Sequence, residues 1–523
     1  MFTDCAVWTN PIVHSFLHAL FYNNAKYRAF FVTLTLKDRD VKLNIFDRSF
    51  TLLMNDGPIK TLIIMSDEKQ PLLTGPIIAI EQAEVQGQAV ELVSDDPILP
   101  IRDEKPKADY CPSSERHLEH PTSNFDTMIH LLKGNIGTGI LAMPDAFKNA
   151  GLLFGVFGTL FMGAVCTHCM HMLVRCSHEL CIRNQRPALG FSEVVEDAFT
   201  SGPVALRPNM VNIFLVITQL GFCCVYFLFV ATNLQDTMRI FHVNLSVHSY
   251  LVLLFPAIVA LAMVKNLKYL TPVSLIASIM TAWGLVITFY YILQDLPRTS
   301  SVKPFATWHQ LPLYFGTAIY AFEGIGVVLP LENNMKTPED FGGWNGVLNT
   351  GMVIVAALYT AIGFFGYLKY GERVLGSITL NLPNDFLAQS VRAVMAASIF
   401  LSYGLQFYVP MNIVWPFVKS RLTSESALKY GESVTRIVLI TITFSAAALI
   451  PNLSGIISLV GAVSSSALAL IFPPIIHIMT FWPDQLGTRD WKLYKDILLI
   501  LFGLTGFVFG TYASVANILS PAH

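Results

Sequence analysis

From Phe125 onward apolar residues run in stretches of about 20, separated by short polar or charged segments. At 1.5 Å per residue each stretch is long enough, as a helix, to cross a hydrocarbon core of about 30 Å. Eleven spans are predicted, at 126–148, 152–174, 209–232, 248–264, 270–293, 312–331, 346–368, 389–418, 434–450, 455–480 and 496–519. The expected fold class is therefore an all-α integral membrane protein.

Two of these spans are interrupted at their centres. Span one carries Lys133-Gly134-Asn135-Ile136-Gly137-Thr138-Gly139, with Pro144 following, and span six carries Phe322-Glu323-Gly324-Ile325-Gly326, with Pro330 following. Backbone polar groups freed inside hydrocarbon cost several kcal/mol each, so a break persists where it lines a cavity or binds something. A close-packing surface of small residues is the other reading of the glycines in span one. The two breaks lie five spans apart. An odd number of crossings means that two sets of five helices enter the membrane in opposite senses, and matched interruptions in such repeats point to a transporter's binding site. A 5+5 inverted repeat plus one extra helix is expected.

Ahead of the spans the pattern changes. Val32–Leu36 and Val41–Ile45 alternate as short strands do, but nothing nearby completes a sheet, so residues 1–64 form an extension of unassigned fold. Residues 65–124 are rich in Asp, Glu, Lys, Gln and Pro and read as a disordered cytosolic tail. No cleavable signal is expected, because Met1–Trp8 has no basic region. Within the tail Glu68, Leu72 and Leu73 have the spacing of an acidic dileucine signal, which a clathrin adaptor reads as an extended peptide; a chance match is the alternative.

Composition agrees with a membrane protein: 53% of the 523 residues are hydrophobic, 13% are charged, and the mean hydropathy is +0.53. A net charge of −2 with no basic run argues against nucleic acid, and eight Cys do not make a disulfide scaffold. With the N-terminus cytosolic, Lys and Arg beside the spans favour the cytosolic side by two to one, which puts the C-terminus on the exoplasmic side. Asn244-Leu245-Ser246 is then a glycosylation sequon in an exoplasmic loop, whereas Asn452-Leu453-Ser454 sits in a turn too tight to modify. The loop stretch Phe191–Phe199 is amphipathic and is expected to lie in the cytosolic membrane interface.

A ligand held at these breaks in low dielectric must have any charge it carries answered by the protein. Freed N–H groups from Ile136 to Ile140 would meet a carboxylate, and freed carbonyls from Phe322 to Gly324 an ammonium. Ile136 and Phe322 would restrict pocket volume to small side chains. Glu323 is the carboxylate near the middle of a span, where a charge is costly enough to suggest function. Proton exchange is one reading and a permanently neutral helix brace the other. His130, one turn before Gly134, is either a proton-linked residue or a packing residue. The run Cys166-Thr167-His168-Cys169-Met170-His171, with Cys176, His178 and Cys181, has the residue types of a zinc site but lies in a helix that would need a partner helix to complete four ligands; packing is the preferred role, and no metal or other cofactor is expected.

The run His130–Gly139, with Lys148-Asn149-Ala150-Gly151, Gly316–Gly326, Leu329–Asn333, Leu405–Pro410 and Ser458–Leu470, resembles the proton-coupled amino acid transporter family of the amino acid/auxin permease superfamily, in its invertebrate form. The likeness covers about 125–519; residues 1–64 have no counterpart and are expected to be dispensable, and the exoplasmic Cys pair of vertebrate members is missing. The resemblance implies a LeuT-like fold of ten core helices plus one. It implies symport of small neutral amino acids such as Gly, Ala or Pro with protons, across the plasma or lysosomal membrane, and it makes His130 the proton-linked residue. Other readings are a sodium-coupled transporter, with Ser398 and Ser402 of span eight facing span one, and an amino acid sensor with little flux. A membrane enzyme has no supporting motif.

Overall fold

The computed structural model describes residues 41–45, 48–54, 61–65, 71–76, 111–116, 118, 121–201, 209–264, 267–483, 486 and 490–519. They fall into two compact units, Met1–Lys105 and Pro106–His523, a division that differs from the boundaries at 64/65 and 124/125 expected from composition.

The first unit contains four antiparallel strands in sequential order, β1 (Val41–Ile45), β2 (Arg48–Met54), β3 (Thr61–Met65) and β4 (Pro71–Pro76). The all-α expectation thus holds for the second unit and not for these strands. Val41–Ile45 is a strand, and β2 and β3 supply the sheet that alternation alone did not reveal, because neither Arg48–Met54 nor Thr61–Met65 alternates apolar with polar residues. β4 falls inside the segment read as disordered. Leu73 pairs with Ile64, so the dileucine stretch occupies a ladder position that an adaptor would have to displace; Glu68 lies outside the described residues, as do Val32–Leu36 and the C-terminal His523.

The second unit is helical. Its helices are α1 (Asn124–Asn135), α2 (Thr138–Ala150), α3 (Leu152–Asn184), α4 (Phe191–Ser201), α5 (Asn209–Arg239), α6 (Val247–Ala262), α7 (Leu267–Ile292), α8 (Leu311–Ala321), α9 (Ile325–Asn333), α10 (Val347–Tyr370), α11 (Phe386–Lys419), α12 (Glu425–Leu449), α13 (Leu453–Val460), α14 (Phe472–Phe481) and α15 (Trp491–Leu519). Among the described residues nine stretches are long and apolar enough to cross a membrane, and they coincide with spans two, three and five to eleven. Span four is the 16-residue α6, and span one is split into α1 and α2, of 12 and 13 residues.

Local signals set these boundaries. Ser123 caps α1 through a reciprocal pairing with Asp126, and Asp385 and Ser246 cap α11 and α6. Span ten contains π-helical turns at Gly461–Ser465 and Ala467–Ile471 between α13 and α14. The apolar face of α4 is a further correction: Val194, Val195 and Ala198 are fully buried against α14 and α3, so that face packs in the protein rather than in the membrane interface. The second sequon is committed to structure, since Asn452 Oδ1 accepts from Gly455 N–H at 3.0 Å and caps α13. Asn244 is exposed between α5 and α6, with Ser246 of its sequon acting as the α6 cap.

Candidate functional site

The two interruptions meet. α1 ends at Asn135 and α2 begins at Thr138, with Ile136 and Gly137 between them; α8 ends at Ala321 and α9 begins at Ile325. Between the breaks lies a cavity of about 80 Å³, enough for several waters or a small zwitterion. Both readings of the glycines hold together at this point. A Cβ on Gly139 would lie 2.7 Å from the Ala321 backbone and one on Gly324 would lie 2.7 Å from the Asn135 side chain, so the broken ends approach each other only because those Cβ atoms are absent.

One side chain braces both breaks. The buried Tyr359 hydroxyl on α10 lies 2.6 Å from the Asn135 carbonyl and 2.8 Å from that of Ala321, two acceptors left without a helical partner where α1 and α8 end. Thr138 at the start of α2 shares a 2.7 Å hydrogen bond with the Tyr320 hydroxyl on α8. Neither α2 nor α9 has a side-chain cap, so their first N–H groups and positive dipole ends stand at the cavity.

Of the residues expected to bind substrate, Gly134, Asn135, Gly137, Thr138, Gly139, Glu323, Gly324 and Gly326 line the cavity. Ile136, Phe322 and Ile325 do not. Phe322 is fully buried, its ring 4.9 Å from that of Tyr359, and Ile136 packs against the core, so the volume limit comes from elsewhere. It comes from Phe222 and Tyr226 on α5 and from Tyr320, whose ring stands 4.6 Å from that of Phe222. The lining also includes Gln219 on α5 and Gln406 on α11, which are hydrogen-bonded to each other. A polar amide in the middle of an apolar span was the available signal for these two.

His130 is not brought to the site. It is exposed on α1, outside the cavity lining, so the geometry separates it from Glu323. Glu323 is 8% exposed and makes no hydrogen bond or ion pair among the described residues. Asn135 Oδ1 is a second polar atom at the cavity that is buried without a partner. The site thus offers an ammonium two acceptors, a carboxylate the N–H groups of α2, and a carboxyl that loses its charge on taking up a proton.

The other candidate constellations disperse. His168, His171 and His178 reach Lys495, Asn349 and Glu332 respectively, and Cys166, Cys169, Cys176 and Cys181 are buried core residues. Ser398 turns to α7, with its hydroxyl 2.6 Å from the Ala277 carbonyl and 2.6 Å from the Thr281 hydroxyl, and Ser402 donates to Ser398 O; neither faces span one.

Residues 120–516 match the family profile described as transmembrane amino acid transporter protein. The chain is 39% identical over 421 residues, 79% of its length and 88% of the relative's, to the proton-coupled amino acid transporter-like protein pathetic of Drosophila melanogaster. It is 29% identical over 421 residues to the amino acid transporter AVT3C of Arabidopsis thaliana, covering 76% of this chain and 92% of that one. Among solved structures it is similar to a Na⁺-coupled sialic acid symporter, at a TM-score of 0.43 and 12% identity over 77% of this chain and 91% of that one. A manganese transporter of Eremococcus coleocola gives a TM-score of 0.43 at 12% identity over 77% and 90%. With broken helices, a small cavity between them and a family match over most of its length, this multi-pass membrane protein is a transporter and not an enzyme: it belongs to the transmembrane amino acid transporter family.

Proposed function

We propose that the protein is a proton-coupled symporter of small neutral amino acids, with Glu323 as the proton site. The observation that carries this reading is the unpaired buried carboxyl of Glu323 in the wall of a cavity of about 80 Å³. An unpaired carboxylate there is costly, and a proton taken up with the substrate removes that cost. The fly relative's name carries proton coupling as well. The zwitterion's carboxylate meets the α2 N–H groups, its ammonium meets Asn135 Oδ1, and Phe222, Tyr226 and Tyr320 leave room for only a small side chain.

In this reading the chain crosses eleven times in a 5+5 inverted repeat plus one, with a cytosolic N-terminus and an exoplasmic C-terminus. It works in the plasma or lysosomal membrane, with Glu68, Leu72 and Leu73 as a signal that a clathrin adaptor reads once it displaces the dileucine from β4. The hydroxyls of Ser398 and Ser402, turned away from span one, give the sodium reading no support. Uptake of glycine, alanine or proline into proteoliposomes holding the purified full chain tests it. An inward pH gradient is expected to drive accumulation, and replacement of Na⁺ by choline is expected to change nothing.

A further inference from the structure

The cavity wall contains two amides that the main chain of a bound zwitterion does not use. Gln219 of α5 and Gln406 of α11 both line it, and Gln406 Nε2 donates to Gln219 Oε1. A glutamine side chain carries two N–H donors and a carbonyl oxygen with two lone pairs, so one mutual bond leaves most of that capacity open. Among the described residues the N–H groups of Gln219 and the carbonyl oxygen of Gln406 have no other hydrogen-bond partner, and neither is fully enclosed by protein. Together they present a donor and an acceptor side by side. Reversing both amides exchanges the roles of the two residues and leaves the same pair of functions.

Holding α5 to α11 does not require such a bridge. The two helices pack against each other, and Phe227 meets Tyr403 with ring centroids 5.4 Å apart. Amides in apolar spans are costly unless their polar atoms are bonded, and apolar side chains of like volume would join the helices without that cost. The position of Gln219 gives the cost a use. Gln219, Phe222 and Tyr226 are spaced at i, i+3 and i+7, which puts all three on the face of α5 that lines the cavity. Phe222 and Tyr226 bound the space for a substrate side chain, and Gln219 stands one turn from Phe222 on the same wall with Gln406 bonded to it.

The chemistry that fits is a hydroxyl. Phe222, Tyr226 and Tyr320 admit only a small side chain, and a hydroxyl is the small group whose single oxygen both donates and accepts. Its O–H matches the Gln406 carbonyl, and its oxygen matches an N–H of Gln219. An apolar side chain is tolerated as well, because the amides keep their mutual bond when it is present. A site whose polar groups were left wholly unpaired would reject the apolar analogue by about 10⁴-fold or more, so amides that satisfy each other give a much smaller preference.

We propose that Gln219 and Gln406 form a subsite for a side-chain hydroxyl, so that among small neutral amino acids the protein favours serine over an apolar substrate of the same shape. The proposal rests on the small-amino-acid reading of the cavity and adds the residues that set preference within that class.

L-serine and L-2-aminobutyrate differ by a hydroxyl against a methyl group. The ratio of their kcat/KM values, for pH-driven uptake by the purified full chain in proteoliposomes, isolates that difference. The wild type is expected to favour serine by about tenfold. Gln219→Met and Gln406→Met each remove one partner while keeping an unbranched side chain, and each is expected to bring the ratio within about twofold of one. A wild-type ratio already within about twofold of one, or a wild-type ratio retained in both variants, overturns the proposal. Failure of both variants to fold overturns it as well, by making the bridge a tie between α5 and α11. Absence of glycine uptake by the wild type would instead sink the reading of the cavity itself.

Discussion

At the first interruption the chain walls the cavity with backbone, an amide and a hydroxyl, from Gly137, Asn135 and Thr138; at the second it adds the carboxyl of Glu323. The backbone problem is the same in both places, a helix ended and restarted in an apolar bundle, and the Tyr359 hydroxyl serves both. What differs is charge. On the proposed function, neutral donors and acceptors at the first break would recognise a zwitterion in any protonation state of the protein, whereas Glu323 would make the second break sensitive to proton supply. That reading divides recognition and coupling between two halves of one site.

The largest effect should come from removing that charge. Glu323→Gln keeps the shape and loses the titrating group, so pH-driven uptake is expected to fall below about one-tenth of wild type while substrate exchange persists. Equal loss of both would make the carboxyl part of recognition and erase the division. Gly139→Ala comes next: its new Cβ would meet the Ala321 backbone at 2.7 Å, and overpacking of this kind costs about 1–3 kcal/mol, read as a lower unfolding temperature together with lost uptake. Gly326→Ala is its control, because nothing lies within 4 Å of that Cβ; stability should hold while the cavity narrows and larger substrates are lost first.

Tyr359→Phe leaves carbonyls of both breaks without their side-chain donor, and thermal unfolding in detergent should report a loss of about 1 kcal/mol. The smallest effect is expected from His130→Ala. The residue is exposed and away from the cavity, so pH-driven uptake should stay within about twofold of wild type. A loss matching that of Glu323→Gln would make His130 a partner in coupling despite its position.

Much of this was legible in the sequence because hydrocarbon leaves few options. A span of about 20 apolar residues must be a helix, and glycines with a carboxyl at its centre must be explained. Hence both breaks and eight of the eleven expected substrate residues met at the cavity. The remainder depended on partners that spacing does not encode. The Tyr359 brace joins distant helices, and nothing local distinguishes it from a packing residue; Gln219 and Gln406 stood out only as amides in apolar spans, not as a pair. Ile136 and Phe322 share their segments with cavity-lining neighbours, yet their side chains point into the core. The apolar stripe of α4 was correct as a pattern, but sequence alone did not reveal that α14 covers it. The N-terminal sheet was missed because neither Arg48–Met54 nor Thr61–Met65 alternates apolar with polar residues.

The division between the breaks is tested most directly by electrical recording of proteoliposomes during glycine or alanine transport with sodium absent. A zwitterion carries no net charge, so one co-transported proton makes every cycle move one positive charge. An inward current is expected that grows as the external medium is acidified, disappears in Glu323→Gln, and is indifferent to sodium. Substrate uptake that persists without a pH gradient but collapses when sodium is removed would contradict it.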